Sequence, residues 1–450
     1  MFLTKYAPKS LIKRLDSRIN FKRIISNISW LFFDRIFRMG IGVFVSVWVA
    51  RFLGPDRFGL LSYAQSFVAL FTALSTLGLD GIVVRNLVKG NDRKEEILGT
   101  TLILKVMGGI LVTILTVTII FLIRGNDPLS TWLVTIVAIG TIFQAFNTID
   151  FWFQSEIKSK YTVFAKGTSF TLVSVLKVGL ILFEANLITF AIAGLIEIIL
   201  GSIFMVIIYQ SKVSSILKWK VNFSLAYNLL KDSWPLIFSS MVIVIYMKID
   251  QLMIGELIGN MELGIYSAAV RLSEVWYFIP SAIVSTLAPV IAKAKKDGKQ
   301  NEYTNHVQQL FNVVACIALG IAILISFLSK SIIQFLYGEE YVLAGDVLSV
   351  HIWAAIFVFL GVARNPYILN EGLMKFSFAT NITGAIINIL LNLALIPKYG
   401  IIGAAYATLI SQMFASYLAN IIYFKTRLIF IYQTKAIFFI WLWRKMRLIR

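Results

Sequence analysis

The chain has 450 residues, 58% of them hydrophobic and only 14% charged, with a mean hydropathy of +0.81 and a formal net charge of +19. A soluble domain carries about 25% charged residues, so this composition excludes an ordinary water-soluble globule and points to a membrane. The excess of positive charge does not indicate nucleic-acid binding, because no loop is large enough to house a reading domain. One cysteine, Cys316, and two histidines, His306 and His351, exclude an internal disulfide and argue against a metal centre.

The first 23 residues carry basic side chains from Lys5 to Arg23, with Leu11, Ile12, Leu15 and Ile19 at helical spacing. That pattern predicts a short amphipathic helix on an anionic membrane surface. It is too long, and too poor in a continuous apolar centre, for a cleaved signal peptide. From Ile24 to Phe424 apolar runs alternate with short polar hinges. About 20 apolar residues cross a hydrocarbon layer roughly 30 Å thick as a helix, and runs of this length are too long for barrel strands. Twelve spans are predicted, near 24–53, 59–87, 96–123, 130–154, 162–183, 187–209, 228–256, 263–291, 306–329, 346–369, 375–396 and 400–424. The tail holds an aromatic run, Ala436 to Trp443, closed by Arg444, Lys445, Arg447 and Arg450, a composition suited to the membrane interface.

With the N-terminus placed inside, 28 of the 42 basic residues fall in inner segments and four, Arg57, Arg124, Lys330 and Lys398, in outer hinges. This bias puts both termini in the cytoplasm and requires an even number of spans. The two halves resemble each other. Gly54-x4-Gly59-x2-Ser62-x-Ala64 recurs as Gly259-x4-Gly264-x2-Ser267-x-Ala269, 205 residues later and again between the first and second spans of a half. Internal repeats of this kind mark transporters, with the substrate path at the repeat interface. The expected division is a basic segment 1–23, a six-helix N-lobe 24–210, a cytoplasmic linker 211–227, a six-helix C-lobe 228–424 and a basic tail 425–450.

The segment Val49 to Ala64 (VARFLGPDRFGLLSYA) resembles the first-hinge signature of bacterial polysaccharide flippases, the O-antigen and exopolysaccharide repeat-unit transporters of the multidrug/oligosaccharidyl-lipid/polysaccharide superfamily. Further matches follow in order at Leu77–Arg85 (LGLDGIVVR), Lys248–Gly255 (KIDQLMIG), Leu336–Tyr341 (LYGEEY) and Leu391–Thr408 (LNLALIPKYGIIGAAYAT). The resemblance implies an all-α integral membrane protein of about 12 transmembrane helices, in two pseudo-symmetric six-helix lobes around a central cavity that opens alternately to each side. It implies residence in the bacterial cytoplasmic membrane and a cargo of undecaprenyl-diphosphate-linked oligosaccharide, moved from the cytoplasmic to the outer leaflet. H+ or Na+ is the expected coupling ion, membrane lipid and polysaccharide polymerase machinery are candidate partners, and no cofactor or metal is expected.

Moving a diphosphate and several sugars through hydrocarbon requires a wet, cationic cleft. The remaining ten basic residues lie deeper in the predicted spans. Arg35 and Arg38 lie near the midplane of the first, on one helical face, with Asp34 beside them. Lys177 is deep in the fifth, Arg271 lies in the eighth with Glu274 three residues on, and Arg364 sits toward the cytoplasmic end of the tenth. These five form the candidate headgroup site, since basic charges outnumber the acidic ones nearby. Structural ion pairing is the alternative, favoured for Arg271–Glu274 and Lys231–Asp232. Glu197, in the sixth span, is either a protonatable coupling group or the partner of Lys177. Asn381, Asn388 and Asn392 form one stripe that serves either sugar hydroxyls or helix association. Asp80, Asp150 and Asp250 are assigned to hinges and caps. A multidrug exporter of the same superfamily would favour an acidic cavity, and a membrane glycosyltransferase or polymerase would need a large outer loop; neither is evident, and no enzymatic activity is expected.

Overall fold

The computed structural model describes residues 19–90 and 93–439. The basic segment up to residue 18 and the end of the aromatic run expected over Ala436–Trp443 lie outside the described residues. Every regular element among those described is helical. They are α1 (Ile19–Thr76), α2 (Asp80–Lys89), α3 (Lys94–Arg124), α4 (Pro128–Phe143), α5 (Thr148–Ser155), α6 (Lys160–Leu182), α7 (Leu187–Lys212), α8 (Phe223–Leu257), α9 (Asn260–Glu274), α10 (Phe278–Lys296), α11 (Gln300–Tyr337), α12 (Leu343–His351), α13 (Ala354–Asn370), α14 (Met374–Ser416) and α15 (Arg427–Ile437).

Ten of the resulting rods are long and apolar enough to cross a bilayer. Two of them, Ser29–Lys89 and Met374–Ile421, have 61 and 48 residues, more than one crossing requires. Each is broken where a hinge was expected. At Gly54 the backbone takes φ 71 and ψ 169 just before Pro55, which has no N–H to continue the ladder; at Gly400, three residues after Pro397, it takes φ 57 and ψ −142. The architecture is therefore consistent with the twelve expected crossings, and the protein is a multi-pass membrane protein.

Local chemistry sets the other helix ends. Asp127 caps α4 by accepting from the Leu129 and Ser130 amides at 3.1 and 3.2 Å, with Pro128 in the first turn. Asn186 caps α7 by accepting from the Thr189 amide at 3.1 Å.

The chain divides into two compact units. One comprises the chain up to Val49 together with Phe67–Met241; the other comprises Ala50–Ser66 together with the chain from Val242 onward. In the first unit α3 and α4 pack so closely that a methyl at Gly109 would sit 2.7 Å from the Ile142 Cα. Thr113 and Thr141 stitch the pair, donating to the Ala138 and Gly109 carbonyls at 3.0 and 3.2 Å. At one end of this unit the rings of Trp152, Phe153, Tyr209 and Trp219 interlock, and the Trp219 indole donates to the Tyr209 hydroxyl at 3.2 Å. Lys220 and Asn222 of the linker then bond to the Glu95 carbonyl and the Thr100 hydroxyl, so the linker is part of this unit's packing.

In the second unit α15 is docked through a buried amide. Gln433 donates to the Ser416 carbonyl at 3.1 Å and accepts from Asn420 at 2.9 Å. That part of the tail, expected at the interface, is a packed element of the bundle.

Candidate functional site

Three ionic groups of the first unit, Arg38, Lys166 and Glu197, meet at one cavity. Its volume is about 240 Å³, and its lining includes Arg38 from α1, Gln144 and Asn147 from the tight turn between α4 and α5, Lys166 and Ser169 from α6, and Glu197 from α7. A space of this size takes a phosphate-sized or sugar-sized group.

Each charge at the cavity is held by an opposite one. Arg38 donates to Asp34, one turn earlier, at 2.7 Å; Lys166 meets Asp150 at 3.3 Å; Lys177 meets Glu197 at 3.2 Å. Asp150 also accepts from Thr162 at 2.7 Å. Deeper in the unit, Lys105 is 3% exposed, reaches Asp80 at 3.4 Å and lies 4.6 Å from the centre of the Phe151 ring. The expected local excess of positive charge is thus absent from Arg38 and Lys177, because carboxylates from the same and neighbouring helices match them. Two buried atoms of the first pair, Asp34 Oδ1 and Arg38 Nε, have no hydrogen-bond partner among the described residues. Arg35 is exposed and forms no ion pair among the described residues. The arrangement offers two cations, a carboxylate, two amides and the hydroxyls of Ser169 and Ser202 beside apolar side chains, a set suited to a polar group carrying both phosphate and hydroxyls.

The remaining expected site residues lie in the second unit. Arg271 stacks on Phe58 with its guanidinium carbon 4.9 Å from the ring centre, and donates to Gln65 at 3.1 Å. Glu274 pairs with Lys248 at 3.3 Å. Arg364 is 3% exposed and donates to the Ala415 carbonyl, Asn420 and Thr380 at 3.1, 3.0 and 3.3 Å. Asn388 and Asn392 are fully buried; Asn392 donates to Asn388 at 3.1 Å and Asn388 to Ser411 at 3.3 Å. Asn381, on the same stripe, is half-buried. The structure therefore brings Arg38 and Glu197 to one cavity, pairs Lys177 with Glu197, and gives Arg364, Asn388 and Asn392 protein partners within the second unit.

Sequence reasoning passed over Lys166, which sits only about 9 Å into α6 at 1.5 Å per residue and reads as a snorkelling residue. The polar interruption Gln144–Asn147 was the available signal for a broken helix at membrane depth. Asp250 was read as a hinge residue, yet it is 4% exposed and accepts from the Tyr266 hydroxyl, from the Gln251 amide at 2.8 Å and from Thr408 at 3.4 Å.

Residues 48–345 match the model of a family described as "Polysaccharide biosynthesis protein". The chain belongs to that family. The matched region begins at the Val49–Ala64 motif and takes in Leu336–Tyr341. Among curated relatives, the capsular polysaccharide biosynthesis protein CapF of Staphylococcus aureus is 23% identical over 414 residues, covering 90% of this chain and 100% of its own length. A probable low-salt glycan biosynthesis flippase of Haloferax volcanii, Agl15, is 25% identical over 391 residues, covering 85% and 79% respectively. The fold is shared with solved transporters. An inward-facing multidrug resistance MATE transporter superposes with a TM-score of 0.72 at 15% identity, covering 89% of this chain and 94% of its own. The lipid II flippase MurJ, in an inward closed conformation, superposes with 0.68 at 18% identity, covering 93% and 92%. A family member thus carries, inside an apolar helical unit, a small cavity walled by ion pairs and amides.

Proposed function

We infer that the protein is a flippase that carries a polyprenyl-diphosphate-linked oligosaccharide repeat unit from the cytoplasmic to the outer leaflet of a bacterial inner membrane, by alternating access. The observation that supports this most is the cavity of Arg38, Lys166, Glu197, Gln144 and Asn147 in an otherwise apolar unit. Buried charges at membrane depth are costly, and their usual role is to serve a solute that cannot enter lipid. Membership of a polysaccharide biosynthesis family, with relatives named as glycan flippases, supplies the class of solute. In this reading Arg35 and Arg38 meet the anionic head, Lys166 and the amides meet phosphate or sugar, and Glu197 with Lys177 forms the pair through which an H+ or Na+ gradient acts. Arg271 and Arg364 act at a distance by holding helices of the second unit. The two repeats correspond to an N-lobe and a C-lobe, with both termini cytoplasmic.

A deletion strain tests the reading. It is expected to accumulate lipid-linked oligosaccharide on the inner leaflet and to lose surface glycan, with both restored by the wild-type gene and not by Arg35→Ala. Drug sensitivity without that accumulation would replace the flippase with an exporter.

A further inference from the structure

Two of the motifs noted in the sequence, Val49–Ala64 and Leu336–Tyr341, take no part in the cavity, yet they meet. Pro55 has no N–H, so the Arg51 carbonyl lacks its usual helical donor. One residue earlier, the Ala50 carbonyl accepts the hydroxyl of Tyr341, which is fully buried, at 2.8 Å. Its ring lies edge-on to Phe58 at 6.3 Å and beside Tyr337 at 5.3 Å. The two glycines of this contact sit under each other's charged neighbours. The Glu340 carboxylate lies 3.5 Å from the position a Gly54 Cβ would occupy, and the Arg51 guanidinium 3.9 Å from that of a Gly338 Cβ.

On its other side the same segment packs backbone to backbone against α9. A methyl at Gly59 would collide with the Asn260 carbonyl, and one at Gly264 with the Pro55 carbonyl. Residues 55 and 59 correspond to 260 and 264 in the repeat, so the contact is reciprocal. Tyr63 donates to Glu256 at 2.6 Å and Ser66 donates to Gln251. The segment therefore meets α9 through glycine faces and holds a few polar handles, and it also buries Leu53, Phe58, Leu60, Leu61 and Tyr63, so it moves as one packed body against another rather than as a loose strand.

We propose that residues 338–341 form a strap that latches the broken helix through Tyr341 and Ala50, and that its release frees residues 50–66 on the side that the loop charges assign to the outside. The inference rests on reading the chain as a transporter.

Ser62 supplies a reporter. It is 3% exposed and its hydroxyl has no hydrogen-bond partner among the described residues, so Ser62→Cys is nearly isosteric. In a Cys316→Ser background, a membrane-impermeant maleimide applied to intact cells reads how often the segment opens. Tyr341→Phe is expected to raise the labelling rate about five- to ten-fold, the equivalent of one ordinary hydrogen bond. Separately, Ser66→Cys with Gln251→Cys, bridged by a short reducible bis-thiosulfonate, is expected to stop surface-glycan export until reductant restores it. Unchanged labelling in Tyr341→Phe, or normal export by the bridged protein, overturns the proposal. Should Tyr341→Phe fail to accumulate in the membrane, the bridged pair decides alone, because each sample is its own control after reduction. The labelling needs no cargo, so failure of the strap and failure of the flippase reading are told apart.

Discussion

At the scale of single residues, the cavity of the first unit is electrically balanced rather than simply cationic. The side chains of Arg38 and Asp34 are 36% and 10% exposed, so the acid is the more buried partner. Removing only the base leaves that carboxylate uncompensated, at a cost somewhat under the roughly 3–5 kcal/mol of a fully buried broken pair. Arg38→Ala is therefore expected to lower both membrane-inserted protein and export, whereas Arg38→Ala with Asp34→Asn restores the protein level and leaves export low. A membrane immunoblot beside surface-glycan staining separates the two effects. The Lys177–Glu197 pair behaves differently if it is the coupling element. Exchanging the two charges, Lys177→Glu with Glu197→Lys, keeps the pair and the fold, and is expected to reduce export several-fold in whole cells; wild-type export by the exchanged protein would reduce the pair to helix glue.

At the scale of elements, contacts without side chains decide which substitutions the fold tolerates. The α3–α4 crossing at Gly109 admits no Cβ without displacing the Ile142 backbone. Overpacking a tight core costs about 1–3 kcal/mol or more, and Gly109→Leu adds several carbons where none fits. It is expected to leave little folded protein, while Gly179→Leu, where no atom lies within 4 Å of the added Cβ, is expected to be silent. Thermal stability in detergent, read by fluorescence-detected gel filtration, ranks the two. The helices and their breaks were legible because apolar length and Gly–Pro chemistry act locally: Gly54 and Gly400 each end a predicted span within a few residues. The stripe Asn381, Asn388 and Asn392 was legible as a stripe, but the partner of Asn388 is Ser411, which lies beyond the Gly400 break. Only the folding back of α14 brings the two together.

At the scale of the whole molecule, the count of basic residues by side is a physical claim about topology. Asn126→Cys, in the hinge before α4, is expected to react with an impermeant maleimide in intact cells. Gly298→Cys, in the turn between α10 and α11, is expected to react only after permeabilisation. Labelling of both from outside would discard the orientation. Overall architecture was legible at this scale because it follows from composition and spacing. The charge pairing was only partly so. Lys177 and Glu197 were visible as one of two alternatives, since neighbouring helices bring them to one depth. Arg364 was not, because its partners Thr380, Ala415 and Asn420 come from different parts of the second unit that sequence spacing does not align.

The path of α1 bears on how the chain is made. It begins in one unit, lends residues 50–66 to the other, and returns. During synthesis that stretch emerges long before Gln251, Glu256, Gly264 and Tyr341, the groups that receive it. Its bare glycine surface and unpaired hydroxyls must wait in the bilayer until nearly three hundred further residues have followed. Two fragments cut at the linker would then have to find each other before either could mature, and the nascent first half is the form on which an insertase or quality-control protease has the longest time to act.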